Sequence, residues 1–120
     1  MAVRPIPPPD IDPEPFFTEW IPGVVAGDAE RRARLGLTAA VLEFVLEGEG
    51  GGIFHLSLRE GFVEGRAGAP ERADLRVRLD VTTWRELNSG TLSAPEAFLR
   101  RRVRLEGNLV LALKLHFIIG

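Results

Sequence analysis

From Leu37 onward the apolar residues recur at every second position, the period of a strand with one face buried. Ala40, Leu42, Phe44 and Leu46 share one face of the first such run, and Glu43 and Glu47 take the other. Gly48-Glu49-Gly50-Gly51-Gly52 then connects to a second run with Phe54, Leu56 and Leu58 inward and His55, Ser57 and Arg59 outward. Arg59-Glu60-Gly61 turns the chain into Phe62-Val63-Glu64-Gly65-Arg66-Ala67, and Gly68-Ala69-Pro70-Glu71 turns it again. Asp74 to Asp80 alternates without a fault, with Leu75, Val77 and Leu79 inward. Four strands joined by short turns predict an antiparallel meander, one face buried and one wet. Arg102-Val103-Arg104-Leu105-Glu106 repeats the pattern as a fifth strand, and outward Arg and Glu side chains are expected to pair across strands for a few tenths of a kcal/mol each, on the order of 0.2–1.

The helical period appears on either side of these strands. Pro15 to Ile21 reads as a short aromatic helix or turn stopped by Pro22-Gly23, and Asp28 is placed to cap a helix over Ala29–Leu35 that Gly36 ends. Before the fifth strand, Val81 to Asn88 sets Trp84 and Leu87 on one face, with Gly90 at its end. Ser93-Ala94-Pro95-Glu96 is a capping box opening a short helix through Arg100. Asn108 is placed to cap the last helix, Leu109 to Ile119, in which only Lys114 and His116 are polar. A helix lying on one sheet face needs only an apolar stripe. Apolar groups around the whole circumference imply deeper burial, a second subunit, or a cavity that a lipid fills.

Composition narrows the chemistry. The chain has 120 residues, 45% hydrophobic and 27% charged, enough for one core and too few for two. Its net charge of −2 argues against a nucleic-acid partner. With no cysteine and two histidines, His55 and His116, disulfides, thiolate metal sites and a Cys nucleophile are excluded, and neither a catalytic triad nor a metal site is expected. His55 and Ser57 read as surface residues on the outward side of their strand. The glycine-rich turn lacks the Lys and Ser/Thr of a phosphate-binding loop. Six of the nine prolines lie in residues 1–15, so residues 1–14 are expected to form a flexible extended arm before a domain over residues 15–120. Neither a signal peptide nor a membrane span is legible, and a cytoplasmic location is expected. Fourteen arginines against one lysine, with no tyrosine, fit a GC-rich bacterial genome.

Two stretches carry a resemblance. Leu87-Asn88-Ser89-Gly90-Thr91-Leu92-Ser93-Ala94-Pro95-Glu96-Ala97-Phe98 is followed by Val103-Arg104-Leu105-Glu106-Gly107-Asn108-Leu109-Val110-Leu111-Ala112-Leu113-Lys114-Leu115. This pattern resembles the sterol carrier protein-2 domain family, and the upstream strand order agrees, so the likeness covers roughly residues 15–119. Thr91 departs from a usual basic residue, Arg101 from a frequent glycine, and Val110 from a common small residue. The resemblance implies an α+β fold: a five-stranded, mostly antiparallel sheet with helices packed on one face, enclosing an apolar tunnel. It also implies non-catalytic binding and transfer of fatty acids, fatty acyl-CoA, sterols or isoprenoid-like lipids, with no cofactor. The family's domain occurs too as an accessory part of enzymes and in ubiquinone-biosynthesis helpers.

Inward strand period and helical facing nominate Phe44, Phe54, Leu56, Trp84, Phe98, Leu105, Leu109 and Leu113 as the lipid-facing wall. Arg100-Arg101-Arg102 with Arg104 is the one charge cluster; it reads as solvated surface or, at Arg100 and Arg101, as an attractor of anionic headgroups or of a membrane surface in transient contact. The competing reading is an interaction module, a homodimer formed through the last helix, or a partner that presents lipid to an enzyme such as one of quinone biosynthesis.

Overall fold

The computed structural model of the chain describes residues 5–119, with side chains through Leu115. A helical turn α1 (Pro13–Pro15) passes into a π-helical turn (Phe16–Trp20) and then α2 (Ile21–Ala26) and α3 (Ala29–Leu35). Strands β1 (Ala40–Glu47), β2 (Gly52–Arg59), β3 (Phe62–Ala67) and β4 (Leu75–Asp80) follow, then α4 (Val81–Ser89), α5 (Ala94–Leu99), β5 (Val103–Gly107) and α6 (Leu111–Ile119). The strands form one sheet in the order β3-β2-β1-β4-β5.

The period-two pattern assigns faces as observed: Leu42, Phe44, Leu46, Phe54, Leu56, Leu58, Leu75, Val77 and Leu79 are all buried on the inner face. The meander is correct only through β3. β4 lies beside β1, and the two run parallel, with Phe44 opposite Val77. Asp74 sets that neighbour: its backbone N–H donates to Val41 O at 2.8 Å, and its carboxylate accepts the Val41 N–H at 2.8 Å. Alternation tells which face a residue takes and is silent about which strand sits alongside. Because β3 also runs parallel to β1, residues 68–74 have to return the chain across β2 and β1. His55 is spent at the start of that return, its Nδ1 donating to Gly68 O at 2.8 Å.

The first helical segment is longer than expected. Helix begins at Pro13 and runs through Pro22-Gly23 to Ala26, with the π turn in its middle. In that wide turn the Ile21 N–H bonds to Phe16 O, five residues back. Pro22 falls in the first turn of α2, directly after it, where its missing N–H does not break an established α-helical ladder. The turn drives Phe16 and Phe17 into the interior, where they are 2% and 1% exposed. Gly65 of β3 makes this possible. A Cβ there would lie 1.8 Å from Phe17 O, so only a residue without a side chain lets the π turn rest on the strand.

The described part of the proline-rich arm, expected to be extended, instead turns at Pro8–Ile11, where the Ile11 N–H bonds to Pro8 O at 3.1 Å, and is laid against the body. Pro7 and Pro13 are buried, and Arg85 Nη1 on α4 donates to Pro9 O (3.2 Å) and Ile11 O (2.7 Å). β1 starts at Ala40 rather than Leu37, which is 91% exposed, because residues 36–39 are used in leaving α3. The expected caps are in place. Asp28 accepts the N–H groups of Glu30 and Arg31, Ser93 accepts that of Glu96, and Asn108 accepts that of Val110 just before α6. Asp80, unassigned by pattern, caps α4 by accepting the Thr83 N–H at 2.6 Å.

Gly65→Ala is expected to cost about 2–4 kcal/mol in urea unfolding, since backbone rather than a flexible side chain must yield. Gly23→Ala, in α2 with open space around its Cβ, is expected to stabilise by about 0.5–1 kcal/mol. Asp80→Ala should cost about 1 kcal/mol at pH 7 by losing the cap. The hydrogen bond from Thr83 holds the Asp80 carboxyl below its ordinary value of 3.8, so its contribution is complete above that value and fades as pH falls through the lowered one. The gap between the variant and the parent chain should therefore close in acid and persist from pH 5 to 8.

Candidate functional site

The structure divides the eight expected wall residues into two groups. Phe44, Phe54, Leu56 and Trp84 are buried, at 4%, 6%, 0% and 4% exposure. They meet through two residues that strand and helix period did not nominate. Phe17 packs its ring 4.8 Å from Phe44 and 5.1 Å from Phe54, and Phe16 meets Trp84 edge to face at 5.2 Å. Trp20 stacks on Phe16 at 5.3 Å, and Ile21, Val25 and Leu35 complete the cover. The signal for these residues was the aromatic run Phe16-Phe17-Thr18-Glu19-Trp20, read as a docked turn and not as part of the wall.

The other four lie at the periphery. Phe98, Leu109 and Leu113 are 55%, 57% and 67% exposed, alongside Leu99 at 79% and Val110 at 65%. This corrects their assignment as inward residues. α6 turns Leu111 and, one turn on, Leu115 toward the core, against α2 and α3, so at 100° per residue Leu113 faces away. On α5 the buried residue is Ala97, which carries Phe98 round to solvent. Leu105 is half-buried with Val103 on the inner face of β5. The helical cover explains the difference: the π turn and α2 pack on β3, and α4 packs on β4 and β1.

Two buried donors on α4 have no acceptor among the described residues, Trp84 Nε1 and Asn88 Nδ2. They stand four residues apart, on one face of the helix. The Arg85 guanidinium covers the Trp84 ring at 4.8 Å.

The basic cluster is not uniform. Arg102 is built into the fold, with Nη1 2.7 Å from Glu86 Oε2 and Nε donating to the buried Thr83 Oγ1 at 3.1 Å. The hydrogen bond to Glu86 raises its pKa further. Arg100 pairs with Glu96 at 2.8 Å across one helical turn, on the exposed surface. Arg101 is exposed and has φ +59°, a left-handed conformation that glycine adopts at less cost than a residue with a Cβ. On the outer sheet face Glu43 is buried rather than solvated, because Arg76 lies over it at 3.3 Å and links it to Glu106 at 3.4 Å. Arg78 joins Glu106 at 3.3 Å. The Glu43 hydrogen bond, then its charge, raise the pKa of Arg76.

An open depression of about 560 Å³ on the outside of the π turn is lined by Glu14, Pro15, Thr18, Glu19, Arg66 and Ala67, and contains none of the expected wall. Among the described residues no three His, Asp or Glu side chains are grouped to hold a metal ion, and no helix is long and apolar enough to cross a membrane. The side chain of His116 lies outside the described residues.

Comparison with known proteins bears on this arrangement. Hydroxysteroid dehydrogenase-like protein 2 of Mus musculus is 34% identical over 79 residues, which are 65% of this chain and 16% of that protein. The fold matches the sec-alkylsulfatase Pisa1 from Pseudomonas sp. with a TM-score of 0.70 at 22% identity, covering 92% of this chain and 17% of that one. It matches the palmitated SCP2L2 from Aedes aegypti with a TM-score of 0.58 at 18% identity, covering 76% and 88%. The chain thus spans about a sixth of the dehydrogenase-like relative and of the sulfatase. The sequence model of the SCP-2 sterol transfer family matches residues 23–120, which takes in every strand and all helices from α3 on, and the chain belongs to that family.

Proposed function

We propose that this chain binds and carries lipids without chemistry: fatty acids, fatty acyl-CoA, or sterol- and isoprenoid-like molecules. The observation that carries the reading is apolar exposure at the end of the chain: Leu109 and Val110, which directly follow β5, and Leu113 on α6 are exposed, and the inner residues of β5, Val103 and Leu105, are only half covered. Family membership and a palmitate-carrying relative support an acyl chain as the occupant. The lipid enters on the β5 side, between these residues, and its far end reaches toward Trp84, Phe44 and Phe54. Residues 15–120 are the binding domain in this reading, and residues 1–14 are an appended arm.

Arg100 and Arg101 attract the anionic end of the ligand. An L-residue held at φ +59° costs about 1 kcal/mol relative to glycine, and a strained position of this kind favours a role for the side chain. A second reading rests on the coverage figures. The matching domain is a small part of the dehydrogenase-like relative and of the sulfatase, which favours a lipid-presenting role beside an enzyme.

Native mass spectrometry of the purified chain, with solvent extraction of bound material, tests the function. A stoichiometric lipid adduct is expected, and a chain that carries none and takes up no added lipid overturns the reading. Leu109→Asp is expected to lower palmitate uptake at least about tenfold with the fold intact, since the residue is exposed. Arg78→Ala, on the outer face, is expected to leave uptake unchanged; equal effects would put the site elsewhere. Arg101→Gly should raise stability by about 1 kcal/mol while weakening palmitate binding at low salt and sparing a neutral sterol.

A further inference from the structure

β5 is an outer strand of the sheet, and its free edge has a definite polarity. Both backbone groups of Val41 are turned toward β4, where they bond to Asp74. With Leu42 opposite Leu75, alternation commits the backbone groups of Leu75, Val77 and Leu79 to β1 and those of Arg76 and Arg78 to β5. Their partners Glu106 and Arg104 therefore face β4, and Val103 and Leu105 turn their N–H and C=O groups away from the sheet. Among the described residues no backbone hydrogen bond outside the strand ladders takes either of them.

We propose that this edge joins a second copy of the chain, antiparallel, about a two-fold axis at Leu105, making one continuous ten-stranded sheet on the order of twice the size of this one. Charge selects the register. Centred on Leu105, each Arg104 stands opposite Glu106 of the other copy, twice over by symmetry. Centred one residue either way, Arg104 faces Arg104 or Glu106 faces Glu106, which is unfavourable. Within one chain Arg104 stands opposite Arg78, and among the described residues no ion pair takes it. Glu106, which within its own chain holds Arg76 and Arg78 at 3.4 and 3.3 Å, gains the Arg104 of the other copy as a third cationic neighbour.

Apolar exposure agrees with the pairing. Phe98 and Leu99 precede β5, and Leu109 and Val110 follow it, all more than half exposed. An antiparallel two-fold brings the Leu99 end of one copy beside the Leu109–Val110 end of the other. Leu105, half-buried, meets its own counterpart on the inner face and extends the apolar surface across the junction. This interface is distinct from one formed by the α6 face, and it does not rest on the lipid reading.

Sedimentation velocity of the full chain from micromolar to millimolar concentration tests the pairing, with Arg104→Glu and Arg104→Lys beside it. A monomer–dimer equilibrium is expected, kept by Arg104→Lys and weakened at least about tenfold by Arg104→Glu. Arg104→Glu sets an acid opposite Arg78 within the chain, so its fold should be at least as stable, and thermal unfolding checks that. Amide exchange followed by NMR gives the second readout: Val103 and Leu105 should gain protection as concentration rises. A chain that is monomeric throughout, or a dimer that Arg104→Glu leaves as tight, overturns the proposal.

Discussion

The fold turns on a backbone contact: the carbonyl of Phe17, in a π-helical turn, rests against a strand residue that has no side chain, Gly65. Because the turn lies that low, Phe16 and Phe17 both reach the interior, and their rings join Phe44 and Phe54 on the sheet to Trp84 on α4. Each buried ring is worth about 1.5–3 kcal/mol on transfer from water, with edge-to-face geometry adding about 0.5–1.5. Pro22 and the wide turn belong to the same device. The missing N–H of one and the extra residue of the other fall in consecutive turns, and the helix continues past a dipeptide that ordinarily ends it.

The two sides of the sheet are consequently held by different forces. Over β1, β2 and β3, aromatic packing under the N-terminal helices dominates. At β4, whose Leu75, Val77 and Leu79 are buried in the same core, and at β5, polar contacts are added: Asp74 tied to both backbone groups of Val41, and the chain Glu43–Arg76–Glu106–Arg78 on the outer face. Glu43 is buried only because Arg76 covers it, the condition under which a carboxylate tolerates losing water. The inner face of β5 has no comparable helical cover. That asymmetry leaves Val103 and Leu105 half exposed on the strand that also carries the free edge of the sheet.

Local signals and tertiary decisions separate cleanly along the chain. Period two assigned every inward residue of β1, β2 and β4, because side-chain direction follows from strand geometry alone. Asp28, Gly36, Gly90, Ser93 and Asn108 marked helix ends, because a cap is satisfied by the residues next to it. The burial of Phe44, Phe54, Leu56 and Trp84 was legible on the same grounds, and the resemblance carried by residues 87–115 identified the family.

What the sequence determined by itself is therefore the faces of strands, the ends of helices and the family. Only the tertiary structure decided which strand adjoins β1, that Phe16 and Phe17 reach the interior, and which side of α6 turns inward. An apolar helix with almost no polar stripe has no preferred inner side of its own; contact with α2 and α3 selects Leu111 and leaves Leu113 outside. Likewise Arg76, Arg78, Arg102 and Arg104 look alike in a charged alternating pattern. Partners contributed from distant positions bury one ion pair, lock Arg102 to Thr83 and Glu86, and leave Arg104 at an open edge. Neighbours in space are not encoded in any one segment, because each such choice is made by the surface another segment presents.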